Sequence, residues 1–521
     1  MKHYVEKNWL RQIALLALGA ISSLAMQPYE FWPVLILGLS GFWLLLTENT
    51  KRWQSFLGGF LFAFGYFVAG LWWVGNALLV DGNPYLWALP LAVFGLQALL
   101  SFFICVAAGL SQWISPGRTL KSYLFFIGLL SFWEWGRGHM FTGFPWNLFG
   151  MTWTSNLPFA QVASIGGIHF LNLLTIILMT LPAFLWKGNT GRKTKIILAA
   201  ISIIFIGGNF FLGQARLVAA DTNNKNQKQD VVVQIVTPNI AQKDKWNPDL
   251  MADNFWKTVK LMHPEASPQN KSAPARVMVL PETALLPEVF SSPEAMNALR
   301  VALNAYPEKT YLLAGALRRE QDETGEPRYF NSLIGMDKSG EIKGWFDKFH
   351  LVPFGEYIPF QKYVPFGPVA KFAGFQGGHG PETWTQFEGL PPFSPLICYE
   401  VIFAGQVTAM EPERPQWMVN VTNDAWYGIS PGPYQHLAQT QFRAIEEGIP
   451  VIRSTNTGIS AIIDPYGRII SESPLYQDYV QEEYLPAMAQ APTFYSIYKD
   501  KLFFFFLILL LLPALLTVRK K

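Results

Sequence analysis

Residues 275–283 read ARVMVLPET, a Val-rich run that stops at Pro281 and is followed at once by Glu282. Six residues of this kind bounded by Pro form a buried strand by pattern and are too few for a helix. The carboxylate then stands where a strand gives way to a loop, the position at which α/β folds place reacting groups. Comparable runs lie at 230–238 (DVVVQIVTP), 311–314, 333–336, 395–398, 417–421 and 449–453. Helical patterns are expected between them over 251–263, 292–305, 402–411 and 433–447. The second opens on Ser292-Pro293-Glu294, a cap residue followed by Pro at the first helical position. Strands alternating with helices imply an α/β layered domain.

Outward from this region the charge density changes. Residues 214–498 hold 23 Lys/Arg and 31 Asp/Glu, a net charge of −8, whereas residues 1–213 hold 12 and 5. Over the 521 residues, 50% are hydrophobic and 15% charged, against roughly 25% charged in soluble domains. Stretches that approach the ~20 apolar residues of a transmembrane helix fall at 9–26, 31–47, 55–79, 86–114, 122–137, 162–186 and 195–213, with an eighth at 501–518. No small-x-small cleavage site follows the first, so it is read as a retained helix and not a signal peptide. The expected organisation is a membrane domain with seven transmembrane helices (1–213), a polar linker near 214–230, a catalytic domain (220–495) and an eighth transmembrane helix (501–518).

The connecting loops orient this arrangement. One alternating set, termini included, carries 14 Lys/Arg, while the short loops of the other carry only Arg137. The positive-inside rule puts the first set in the cytoplasm and residues 220–495 on the far side, which in a bacterium is the periplasm. A net charge of +3 does not suggest a nucleic-acid partner. The spans carry almost no charge, with Glu134 and Arg137 together at one membrane edge, which argues against a transport pathway. Of the two cysteines, Cys105 lies in an apolar span and Cys398 in the charged domain, so no disulfide framework is expected and Cys398 stays a free thiol. No metal cluster or Gly-rich phosphate loop is evident, and no cofactor is expected.

Three strand-end residues carry the chemistry: Glu282, Lys348 within FDKFH (346–350), and Cys398 followed by Tyr399-Glu400. Singly, each reads as a surface carboxylate, a solvated lysine or a small core residue; the combination is more specific. A Cys–His pair using His350, His379 or His436 is the rival arrangement. The loop 353–376 is dense in aromatics, among them Phe354, Tyr357, Phe360 and Phe366. Aromatics favour membrane interfaces, so the loop is expected to act as a lid that dips into the outer leaflet.

Glu, Lys and Cys in this order, within LPET (280–283), DKFHLVPFGEYIPF (347–360), ICYE (397–400) and VNVTNDAWYG (419–428), resemble the nitrilase, or carbon–nitrogen hydrolase, superfamily. Joined to this membrane part, and with EWGR (134–137) and TGFPW (142–146), the chain resembles the apolipoprotein N-acyltransferase family. The resemblance implies an αββα sandwich domain on about eight transmembrane helices in the bacterial inner membrane. It implies transfer of an acyl chain from a phospholipid, usually phosphatidylethanolamine, through a thioester on Cys398 to the α-amine of a diacylglyceryl-cysteine at an apolipoprotein N-terminus. Glu356 is then an additional essential carboxylate, Tyr399 and Glu400 flank the nucleophile, and Trp246 lies near the substrate. The residue chemistry agrees: a thiol needs a base, for which Glu282 is the candidate, and Lys348 can hold the charge that develops on the carbonyl oxygen. A membrane-bound amidase or hydrolase using the same triad is the alternative.

Overall fold

A computed structural model of the chain divides into two compact units: Met1–Gly75, Trp87–Ala219 and Thr493–Lys521 form one, Asn76–Leu86 with Ala220–Pro492 the other. The structure describes residues 2–48, 51–81, 83–225, 230–266, 271–359, 374–409, 411 and 413–516.

The first unit is helical because its apolar stretches contain few polar groups other than the backbone, which a helix satisfies internally. Its helices are α1 (Lys2–Ser22), α2 (Val34–Leu46), α3 (Trp53–Leu71), α4 (Leu96–Ile114), α5 (Leu120–Arg137), α6 (Leu157–Ala160), α7 (Ala163–Lys187) and α8 (Arg192–Lys225). Among the described residues four helical segments, Trp53–Leu78, Leu86–Ile114, Ala163–Lys187 and Arg192–Asp221, are long and apolar enough to cross a membrane. Val34–Leu46 and Lys501–Leu512 are shorter apolar helices. Over the polar boundary expected near 214–230 the chain stays helical through Lys225, and the division between the units falls within it, after Ala219. Gln214 to Ala220 contain strong helix formers and no Gly or Pro, so nothing stops the helix there. The two charges at the end of α5 face each other: Arg137 Nη2 lies 2.7 Å from Glu134 Oε2, with both side chains fully buried. Arg137 Nη1 also donates to the carbonyls of Phe144 and Trp146, which fixes the TGFPW turn.

The second unit starts with β1 (Val231–Thr237), α9 (Gln242–Lys245), α10 (Met251–Met262) and β2 (Ala275–Leu285). Then come α11 (Pro287–Ser291), α12 (Pro293–Asn304), β3 (Lys309–Gln321), β4 (Pro327–Met336) and β5 (Ile342–Asp347). After these follow β6 (Phe393–Ile397), β7 (Trp417–Thr422), α13 (Gly432–Glu447), β8 (Val451–Thr455), β9 (Ala461–Ile463), β10 (Ile469–Glu472) and β11 (Tyr479–Tyr484). The chain returns to the first unit with α14 (Phe494–Tyr498) and α15 (Lys501–Leu516).

The strands make a six-stranded sheet, β11-β1-β2-β3-β4-β5, and a five-stranded sheet, β10-β9-β8-β7-β6. Each has three consecutive parallel strands, β1-β2-β3 inside the first sheet and β6-β7-β8 running in from the β6 edge of the second, and the remaining pairings are antiparallel. Period-2 alternation builds two cores. Val277 and Val279 of β2 face Ile397, Val419, Val421 and Ile452 of the other sheet. Met278 and Leu280, one residue out of phase, face Met262 of α10 and Leu299 and Leu303 of α12. With α13 packed against β8, the layers read helix–sheet–sheet–helix, an α/β sandwich. Among the described residues of 402–411 the expected helix does not form: residues Cys398–Ile402 make one 3₁₀ turn, and Gly405 at φ 78° bends the chain away.

Candidate active site

Cys398 is the first residue after β6, whose last pair is Ile397 with Val421 of β7. Its φ of 50° lies in the left-handed region, costly for a residue with a Cβ. The turn that enforces it is held by Glu400, which is fully buried. One carboxylate oxygen accepts from Ile397 N at 2.7 Å, the other from Phe349 N at 2.7 Å and His350 N at 3.3 Å. Glu400 therefore ties the cysteine turn to the segment just after Lys348. Burial pushes its carboxyl up to about 8, against the pull of those backbone donors and of Lys348. Tyr399 packs edge-on against His350 and Phe403.

Glu282 stands where β2 loses register with β3, between Leu280 and Leu285, and Thr283 beside it has φ 48°. Gly315 on β3 makes room: a Cβ there would lie 2.4 Å from Glu282 Cα and Pro281 O. Lys348, one residue past β5, is 1% exposed. Its ammonium donates to Glu356 at 2.9 Å and lies 3.6 Å from Glu282 Oε1. Burial works against that ammonium, but Glu356, Glu282 and Cys398 outweigh it and hold Lys348 above the ordinary lysine value. Burial, then Glu282, pushes the Cys398 thiol up to about 12, while Lys348 and the Thr422 hydroxyl pull it down. Below that pH the resting sulfur is a neutral thiol.

Two further residues complete the cluster. Asn331 on β4 donates to Glu282 Oε1 at 2.6 Å and Glu356 Oε1 at 3.0 Å, and its carbonyl accepts from Lys348 N. Lys245, buried at the end of α9, donates to the Glu282 carbonyl at 2.8 Å. Burial brings its ammonium down to about 8, partly offset by Glu282 and Cys398. Trp246 follows it, half-buried, with the Lys245 ammonium 6.0 Å from its ring. A cavity of about 400 Å³ adjoins Glu282 and Lys245, with Met251, Phe255, Leu286 and Val289 among its walls.

Beneath Cys398 lies a buried ionic network. Arg453 donates to Asp424 at 2.7 Å and Asn420 at 2.9 Å, and His436 bonds Asp424 at 2.9 Å. Asn420 donates to the Cys398 carbonyl at 3.4 Å, which links the turn to this network. His350 stacks on Phe403 at 3.5 Å, and His379 is solvent-exposed. The stem of the aromatic loop is anchored to the same cluster: Val352 N donates to Glu356 Oε2 at 2.8 Å, and Phe354 N to Tyr357 O at 2.7 Å. Phe354 is exposed and Tyr357 half-buried; Phe360 and Phe366 lie outside the described residues.

A family profile described as "Apolipoprotein N-acyltransferase N-terminal domain" matches residues 18–181, and one described as "Carbon-nitrogen hydrolase" matches 235–484. The apolipoprotein N-acyltransferase of Rhodopseudomonas palustris is 36% identical over 504 residues, 94% of this chain and 92% of the relative. That of Brucella melitensis is 37% identical, covering 92% and 90%, and that of Bradyrhizobium diazoefficiens 34%, covering 99% and 96%. The chain belongs to the apolipoprotein N-acyltransferase family. It is an acyltransferase and a membrane protein, and its second unit carries the nitrilase-like α/β domain. For this acyltransferase the sequence singled out Glu282, Lys348, Glu356 and Glu400, which the structure brings into contact through Asn331 and the backbone. Lys245 and Asn331 escaped it, because their partners are distant in sequence and neither lies in a motif.

Proposed function

We propose that this acyltransferase moves a fatty acyl chain from a phospholipid, such as phosphatidylethanolamine, to the α-amine of the N-terminal diacylglyceryl-cysteine of apolipoproteins, the last step of their maturation. Cys398 carries the acyl group as a thioester between two half-reactions. Eight helices cross the bacterial inner membrane, and the catalytic domain stands on the periplasmic side. The relatives' names support the acceptor class. The observation that carries the chemistry is the buried Lys348 ammonium between Glu356 and Glu282, in a domain whose strained strand end presents Cys398.

The steps follow from the charges. The neutral thiol gives its proton to Glu282 as sulfur attacks the ester carbonyl, and Lys348 stabilises the oxyanion. Collapse returns the proton to the departing oxygen and leaves lysophospholipid and a thioester. The acceptor amine then loses its proton to Glu282 and attacks the thioester, and Cys398 leaves with a proton. Glu356 and Asn331 hold the ammonium and carboxylate in place, and no cofactor takes part. The aromatic loop, anchored through Glu356, admits the lipid.

Enzyme given phospholipid alone should accumulate a hydroxylamine-sensitive acyl group on Cys398, and an amine-bearing diacylglyceryl peptide should discharge it. Acyl label on Cys105, or loading of Cys398→Ala, would overturn the reading. Discharge to water but not to amine would make the protein a hydrolase.

A further inference from the structure

We propose that His139, His169 and Asp500, in the helical first unit, bind a divalent transition-metal ion, zinc by their donor set. His139 follows the C-terminus of α5, His169 lies within α7, and Asp500 immediately precedes α15. One ligand atom from each lies within 4.8 Å of the other two. A tetrahedral zinc ion with bonds of ~2.0–2.1 Å spaces its ligands by roughly 3.4 Å, so the atoms need draw in by at most about 1.5 Å.

Two observations give the cluster the character of a metal site. The first is the tautomer of His139. Its Nδ1 lies 2.8 Å from the Trp135 carbonyl, which can only accept, so Nδ1 carries the proton and Nε2 keeps the lone pair a metal takes. The second is Asp500. Its Oδ2 accepts from Trp135 Nε1 at 3.0 Å, while Oδ1 is buried and has no hydrogen-bond partner among the described residues. A buried carboxylate oxygen without a partner is costly, and a cation removes that cost. Outer partners of this kind, a carbonyl behind a histidine and a donor behind a carboxylate, are what orients metal ligands. Trp135 supplies both. His169, 2% exposed, provides the third ligand, and the exposed His139 gives the ion a route from water. Two imidazoles and one carboxylate suit zinc and leave a fourth position for water. The ion would tie the start of α15 to α5 and α7.

The full-length protein, purified in detergent without a histidine tag and stripped by chelator, should rebind one zinc per chain by elemental mass spectrometry. Cobalt in its place should give the visible band of a four-coordinate ion. His139→Ala, at an exposed position, and Asp500→Asn, which keeps an acceptor for Trp135, should each weaken binding at least tenfold. Chelator should lower the melting temperature of the parent and leave both variants unmoved. Binding below a tenth of an ion per chain, or equal zinc binding by parent and both variants, would overturn the proposal in favour of a plain histidine–carboxylate contact.

Discussion

At the scale of single residues, the unusual feature is a nucleophile kept protonated. With Cys398 pushed up to about 12 by burial and Glu282, thiolate is scarce at neutral pH. Alkylation of resting enzyme by iodoacetamide should therefore be slow at pH 7 and climb with pH until about 12. Lys348 pulls the thiol pKa down, so Lys348→Ala should slow alkylation as well as acyl loading. The loading rate should fall by ~10²–10³, the usual loss for one oxyanion partner. Glu282→Gln keeps the shape but removes the base, and loading should fall by ~10²–10⁴. Cys398→Ser should be severely impaired, since a hydroxyl ionises far less readily than a thiol. Lys245 gives a separate signature in stability. Burial lowers its pKa from 10.5 to about 8, so between those values the unfolded chain binds more protons, and stability should rise with pH across that window. In Lys245→Met that rise should shrink when melting temperature is followed from pH 8 to 10.5.

At the scale of elements, Gly315 decides whether β2 can present its carboxylate. A methyl group there would sit 2.4 Å from backbone atoms of Pro281 and Glu282, which cannot swing aside as a flexible side chain could. Gly315→Ala should displace the end of β2, at about 1–3 kcal/mol in stability and ~10²-fold or more in transfer rate. Unchanged kinetics with unchanged melting would show that β2 has slack there. The central strands were legible because β1, β2, β7 and β8 are buried on both faces and read as apolar runs. The edge strand β10 alternates half-buried with exposed residues and offers no such run. The stretch 402–411 has helical periodicity, but the positive φ of Gly405, which periodicity does not reveal, ended it. Within the site, motif residues could be read in advance, whereas Lys245 and Asn331 take their meaning from Glu282, 37 and 49 residues away.

At the scale of the whole molecule, 14 positive charges on one set of loops against one on the other predict the topology. Reporter fusions at residues 190 and 300 should report opposite compartments, and two cytoplasmic results would remove the periplasmic assignment.

The second unit is also discontinuous in sequence. Asn76–Leu86 belongs to it, and Asn76 Nδ2 donates at 2.7 Å to the carbonyl of Tyr427, at the end of the VNVTNDAWYG motif. A gene fragment encoding only residues 220–492 would thus produce a polypeptide lacking one of its own parts. Such a truncation should be less soluble and less stable than a version with residues 76–86 grafted on through a flexible linker, and Asn76→Ala should cancel part of that rescue. For anyone seeking a detergent-free surrogate for inhibitor screening, the cut belongs around this segment and not at the apparent boundary.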